Sequence, residues 1–200
     1  AIDIEDQQIM MKVALTSMGS KTVGGAKEHF AEIAIEAIKQ VTQKHEDKKV
    51  ADIDNVQLVK KTGRSLIETQ LIRGIIIDKE VANPGMPKTK ENAKIALLNS
   101  ALEIEKTEIT AEIRIHEPHQ MKAFLDQEEN ILKEMVNKIK TSGPNIVFCQ
   151  KGIDDMAQHF LSKEGIMAVR RVKDSDMEKL ARATGGRVTS NLTDLKAADL

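Results

Sequence analysis

Apolar residues along the chain recur at helical spacing in several stretches, and between these they alternate or run together. Residues 4–16, IEDQQIMMKVALT, read as the end of a helix whose beginning lies upstream, because no capping signal marks the start. After the Gly24-Gly25 pair, Phe30, Ile33, Ala34, Ala37, Ile38 and Val41 share one face of a second helix. HEDKKVADID is polar and turn-like. NVQLVKKTG and LIRGIIIDKE then read as two strands, with a turn near Thr62-Gly63.

The pattern changes at ANPGMPKTKENA, where Pro84, Gly85 and Pro87 mark a loop and a domain boundary falls shortly before it. KIALLNSALE is a buried strand, and EITAEIRI is an alternating one in which Ile109, Ala111, Ile113 and Ile115 share a face. Pro118 opens a helical region running to about Lys140, with apolar positions at Met121, Phe124, Leu125, Ile131, Leu132, Met135, Val136 and Ile139. The charged DQEEN at 126–130 interrupts that stripe, which predicts two helical pieces or an exposed bend. From Gly143 the order is strand NIVFCQ, helix 152–164, strand IMAVRRV, helix 175–184 and strand RVTS. This β-α-β-α-β alternation implies parallel strands with crossover helices. Ser175 and Glu178 form a candidate capping box for the last helix, which Gly185-Gly186 closes. The expected class is α/β, with a smaller helical and β unit over 1–74 and the parallel unit over 75–200.

Composition narrows the function. With 30 basic and 31 acidic residues there is no global field to hold nucleic acid or an acidic membrane, so partners must be recognised locally. Tryptophan and tyrosine are absent, leaving few platforms for stacking bases, whereas nine methionines supply adaptable apolar surface. Cys149 is the only cysteine, which excludes an internal disulfide, and no apolar run is of membrane-spanning length or signal-peptide type. A reducing, cytoplasmic setting fits.

Residues 145–172 contain the densest candidate chemistry: Cys149, Lys151, Asp154, Asp155 and His159 fall within eleven positions. These residue types build covalent active sites, so a thiol- or histidine-dependent hydrolase centred on Cys149 and His159 is one reading. Spacing argues against it. Ile153, Met156, Ala157, Phe160 and Leu161 define an inward helix face, which leaves Asp154, Asp155, Gln158, His159, Ser162 and Lys163 outside. His159 also lies about two turns into the helix, roughly 10 Å along its axis from the end of the cysteine's strand. The turn CQKGIDD places two acids where a phosphate needs bare amides, and neither a Walker sequence nor G-x-G-x-x-G occurs. His116-x-x-His119 straddles Pro118 and lacks a third ligand, so no metal site is expected. RRVK at 170–173 reads as the solvated end of a strand.

Three stretches carry a resemblance: MPKTKENAKIALLNSALEIEKTEITAEI, FLDQEENILKEMVNKIKTSGPNIVFCQKGIDDMAQHFL and GIMAVRRVKDSDMEKLARATGGRV. Together they resemble the apical domain of group II chaperonins, the archaeal thermosome and its eukaryotic cytosolic relatives. ALTSMGSK and KEHFAEIAIEAI resemble the N-terminal part of the family's intermediate domain, so the likeness spans essentially the whole chain. It implies an ATP-driven folding machine, a double ring of eightfold-type symmetry that captures non-native proteins and encloses them under a built-in lid. The lid, a helical protrusion, corresponds to about residues 112–138. Met121, Phe124, Leu125, Ile131, Leu132 and Met135 would form its apolar surface, and the helix GIDDMAQHFLSK would line the cavity with Gln158 and His159 facing clients. Lys21 in GSK matches the lysine that senses the nucleotide's terminal phosphate in the parent protein.

The resemblance further implies sister subunits as partners, together with a prefoldin-type co-chaperone, and neither nucleic acid nor membrane. The equatorial domain with its Gly-Asp-Gly-Thr motif, the later catalytic aspartate and the returning intermediate segment do not occur in these residues. ATP and Mg therefore belong to the full-length parent, and this segment is expected to hold no cofactor and to be no enzyme by itself. It is also expected to stop before the apical domain's last strands, and LNSALE lacks a proline often found there.

Overall fold

The computed structural model describes residues 4–46, 48–63, 65–104 and 118–200. The chain divides into two compact units, Ala1–Ile76 and Ile77–Leu200.

In the first unit, α1 (Gln7–Met18) starts at an Asp6 cap whose carboxylate accepts from the Gln8 and Ile9 amides, so the helix has its own start signal. Met10, Met11, Ala14, Leu15 and Met18 are half-buried at helical spacing, and α1 packs on α2 (Lys27–Val41). The best-buried positions of α2 are Ala31, Ile35 and Ala37. Phe30, Ile33, Ala34, Ile38 and Val41, expected to form its buried face, are only partly covered. HEDKKVADID, with the three residues before it, folds into an antiparallel hairpin of β1 (Thr42–His45) and β2 (Lys48–Ala51), with Glu46 left-handed in the turn. Its lysine-rich sequence hides the signal, because the hairpin buries no apolar face. The two strands expected from NVQLVKKTG and LIRGIIIDKE are not formed. The described residues there are irregular apart from short 3-10 turns at Ile53–Asn55 and Leu66–Glu68. Leu58, Leu66, Ile67 and Ile72 are exposed, so apolar content without a pairing strand does not make a ladder.

The second unit is a doubly wound α/β layer. Four strands, β3 (Ile95–Leu98), β4 (Ile146–Cys149), β5 (Met167–Val169) and β6 (Val188–Thr189), are parallel in the order β5-β4-β3-β6. On one face Ala96, Leu98, Val147, Cys149 and Ala168 meet α3 (Pro118–Ser142) and α4 (Asp155–Lys163) through Leu132, Val136, Ile139, Ala157 and Leu161, joined by Ile153 just before α4. Leu97 alternates to the other face, where α5 (Asp174–Thr184) packs with Met177 and Leu180 buried. Each fully buried Leu or Ile of this core contributes roughly 1.5–3 kcal/mol. The edge of β5 is closed by the loop that leads into β3: Ala82 donates to the Ala168 carbonyl at 2.7 Å, and the Ala168 amide donates to Met86 Sδ.

Two local expectations are corrected. No bend follows DQEEN: α3 is one 25-residue helix, in which Glu129 and Lys133 pair across one turn at 2.6 Å. α5 has no capping box, because the chain enters the helix at Asp174, which places Ser175 inside the first turn where it no longer precedes the helix. Gly185 does close α5, at φ 75°, a conformation that suits glycine. The strand EITAEIRI, the first residues of the protrusion and His116 lie outside the described residues.

Candidate functional site

The dense motif after β4 resolves into structural roles. Cys149 is fully buried, and its Sγ donates to the Ser100 carbonyl at 3.2 Å. Burial pushes its thiol up to about 11, so at neutral pH it is protonated and shielded, the opposite of an activated nucleophile. Asp154 caps α4 by accepting from the Met156 amide at 2.8 Å. A Cβ at Gly152 would meet the Glu103 carboxylate, which would have to swing aside.

α4 is rotated from the expected orientation. Gln158 is buried at 3% exposure, and its Nε2 donates to the Ile153 carbonyl at 2.7 Å and to Asp155 Oδ1 at 3.0 Å. Met156, expected inside, is 42% exposed, and Phe160 is partly covered. The reason is chemical: Gln158 finds two oxygen partners for its amide at the start of the helix, which makes its burial cheap, and Met156 yields the inward place. His159 does face solvent, beside Phe160. A polar residue that satisfies itself locally gives no periodicity signal, so this register was not legible beforehand.

The stripe on α3 has two fates. Met121, Phe124, Leu125 and Ile131 are exposed, Leu125 at 54%. Leu132, Val136 and Ile139 are buried in the core, and Met135 packs against it. Leu132 and Met135 are therefore corrected from arm surface to root. α3 is fastened to α4 by Lys133, whose Nζ lies 5.5 Å from the Phe160 ring centroid, and by the 2.6 Å Lys140–Glu164 ion pair. Beyond this root the helix runs through residues 121–131 with its apolar side chains exposed.

Lys21 is exposed in the turn after α1. A cleft of about 650 Å³ in the first unit, lined by Gln7, Glu32, Ile35, Glu36, Lys39 and Arg73, mixes both charges. Sequence reading missed it because its walls converge only after folding. Among the described residues no three His, Cys, Asp or Glu side chains group to hold a metal ion, and no helix is long and apolar enough to cross a membrane.

A family model for the TCP-1/cpn60 chaperonin family matches residues 1–200. The thermosome subunit beta of Sulfolobus acidocaldarius is 61% identical over 199 residues, covering 100% of this chain and 36% of that protein. The thermosome subunit beta of Saccharolobus shibatae is 59% identical with the same coverage. A solved open-state monomer of a group II chaperonin from Methanococcoides burtonii is similar at TM-score 0.78 and 34% identity, over 100% of this chain and 44% of that one. The chain thus spans about a third of the length of the curated relatives it matches. The chain belongs to the TCP-1/cpn60 chaperonin family, in its group II branch.

Proposed function

We propose that this chain is the substrate-binding and lid portion of an ATP-dependent group II chaperonin. Residues 1–74 belong to the intermediate domain and 75–200 to the apical domain, with the helical protrusion over about 112–138. The observation that carries the reading is the divided helix α3: Leu132, Val136 and Ile139 root it, while Met121, Phe124, Leu125 and Ile131 project uncovered. Exposed apolar surface on a water-soluble body marks a contact site, and methionine beside phenylalanine and leucine adapts to many partners. Its ligands are non-native proteins, and in the closed ring of the parent the same surface meets sister subunits. His159, outward on α4, contributes to the client-facing wall, whereas Gln158 acts only by holding the helix start. ATP and Mg act in the equatorial domain of the parent, where Lys21 reads the nucleotide state. A prefoldin-type co-chaperone delivers clients in the cytoplasm.

Replacing Phe124 and Leu125 together by Ser tests this. Suppression of aggregation of a denatured client falls, while the melting temperature of the chain is nearly unchanged because little buried area is lost. Strong destabilisation with unchanged suppression overturns the reading. The chain by itself turns over no ATP, and magnesium-dependent hydrolysis that co-purifies with it would contradict the assignment.

A further inference from the structure

Within the exposed stripe of α3 stands one charged residue. Glu128 is seven positions after Met121, four after Phe124, three after Leu125 and three before Ile131, so it sits on the same helix face as the apolar side chains. It is half-buried at the point where the arm leaves its root. Its neighbour Glu129 is held by Lys133 at 2.6 Å, but among the described residues Glu128 enters no ion pair or hydrogen bond. Lys122 lies six positions away and off the stripe, and the stretch 121–131 carries three carboxylates, Asp126, Glu128 and Glu129, against that single ammonium.

We propose that Glu128 makes the arm selective for client segments that combine apolar residues with a lysine or arginine. The inference rests on the client-binding reading above and adds a chemical class to it. When apolar client residues cover Met121, Phe124 and Leu125, they also strip water from the carboxylate beside them. A desolvated, unpaired charge opposes binding, and a cation brought in register removes that opposition. An acidic segment with the same apolar residues adds repulsion instead. The arm thus sorts non-native segments by charge as well as by hydrophobicity.

The test uses the whole chain and two fluorescent peptides with identical apolar residues, one interspersed with lysines and the other with glutamates. Affinities are read by anisotropy at low and high ionic strength. The lysine peptide binds about fivefold tighter or more at low salt, and the ratio shrinks as salt screens the pair. Glu128→Gln brings the ratio below about twofold, Glu128→Lys reverses it, and Asp126→Asn, off the stripe, leaves it in place. Melting temperatures of all variants stay at the parent value. Equal binding of both peptides, or a preference that survives Glu128→Gln, overturns the proposal, and in either case weakening of both peptides by the Phe124→Ser, Leu125→Ser pair shows that the arm still binds clients. If that double variant changes neither affinity, the arm reading itself fails.

Discussion

The two halves of α3 share one helix and one apolar periodicity, yet Ile139 is fully buried and Leu125 is 54% exposed. Spacing of apolar residues decides which face of a helix is sticky. Whether anything covers that face is decided by the length of the helix relative to the sheet and helix beneath it. Here the strands are only three or four residues long around the root, and α4 spans nine residues. A 25-residue helix outruns both. The excess is left uncovered by the described residues, and the proposed client-binding role rests on that exposure.

The largest effect that sharpens this contrast is truncation at the root. Ile139→Ala removes a fully buried side chain and costs about 2–5 kcal/mol in denaturant unfolding, whereas Leu125→Ala stays within about 0.5 kcal/mol. Similar losses at both positions would mean that the arm is covered.

Next in size is the pair of neighbours on α4. Gln158→Ala leaves the Ile153 carbonyl and Asp155 without their amide donor and costs about 1–3 kcal/mol, while His159→Gln is near neutral. The reverse order would restore the helix register expected from sequence.

Cys149 supplies a smaller, pH-dependent effect. Its folded value of about 11 lies above the thiol's ordinary 9.0, so the buried thiol stays protonated where the unfolded one ionises. Its contribution is therefore complete below pH 9 and is lost as pH rises from there through about 11, where the unfolded chain binds fewer protons. Cys149→Ala flattens that alkaline decline. Iodoacetamide labels the native chain only after unfolding, and rapid native labelling would contradict the burial.

The smallest effect is expected at Thr189, whose buried Oγ1 has no hydrogen-bond partner among the described residues. Thr189→Val removes an unsatisfied hydroxyl and leaves stability unchanged or raised by about 0.5–1 kcal/mol. A clear loss in thermal melts would reveal a partner for that hydroxyl.

Some of this molecule was written plainly in its residues. NIVFC, the period-3.6 helices after it and Gly185 together dictate a parallel α/β unit, because a continuously apolar strand must be covered on both faces and crossover helices are the connections that do so. That Cys149 and His159 form no catalytic pair was legible as well, since strand and helix geometry already separates them, and the fold buries the one and exposes the other. The resemblance that points to the chaperonin family was carried by long stretches of residues, not by a single motif.

Other features arose only in three dimensions. Gln158 looks like a surface residue until the start of α4 offers it two oxygens, and Met156 looks like core until that exchange displaces it. The β1–β2 hairpin hides behind lysines because its stability comes from backbone pairing and not from an apolar face. NVQLVKKTG, apolar enough for a strand, stays irregular for want of a ladder partner. Sequence determined the local periods and the apolar faces, which are properties of one segment at a time. The tertiary structure decided which faces meet, because burial belongs to pairs of segments and to their relative lengths, and it is that mismatch of lengths that turns half of α3 into an arm.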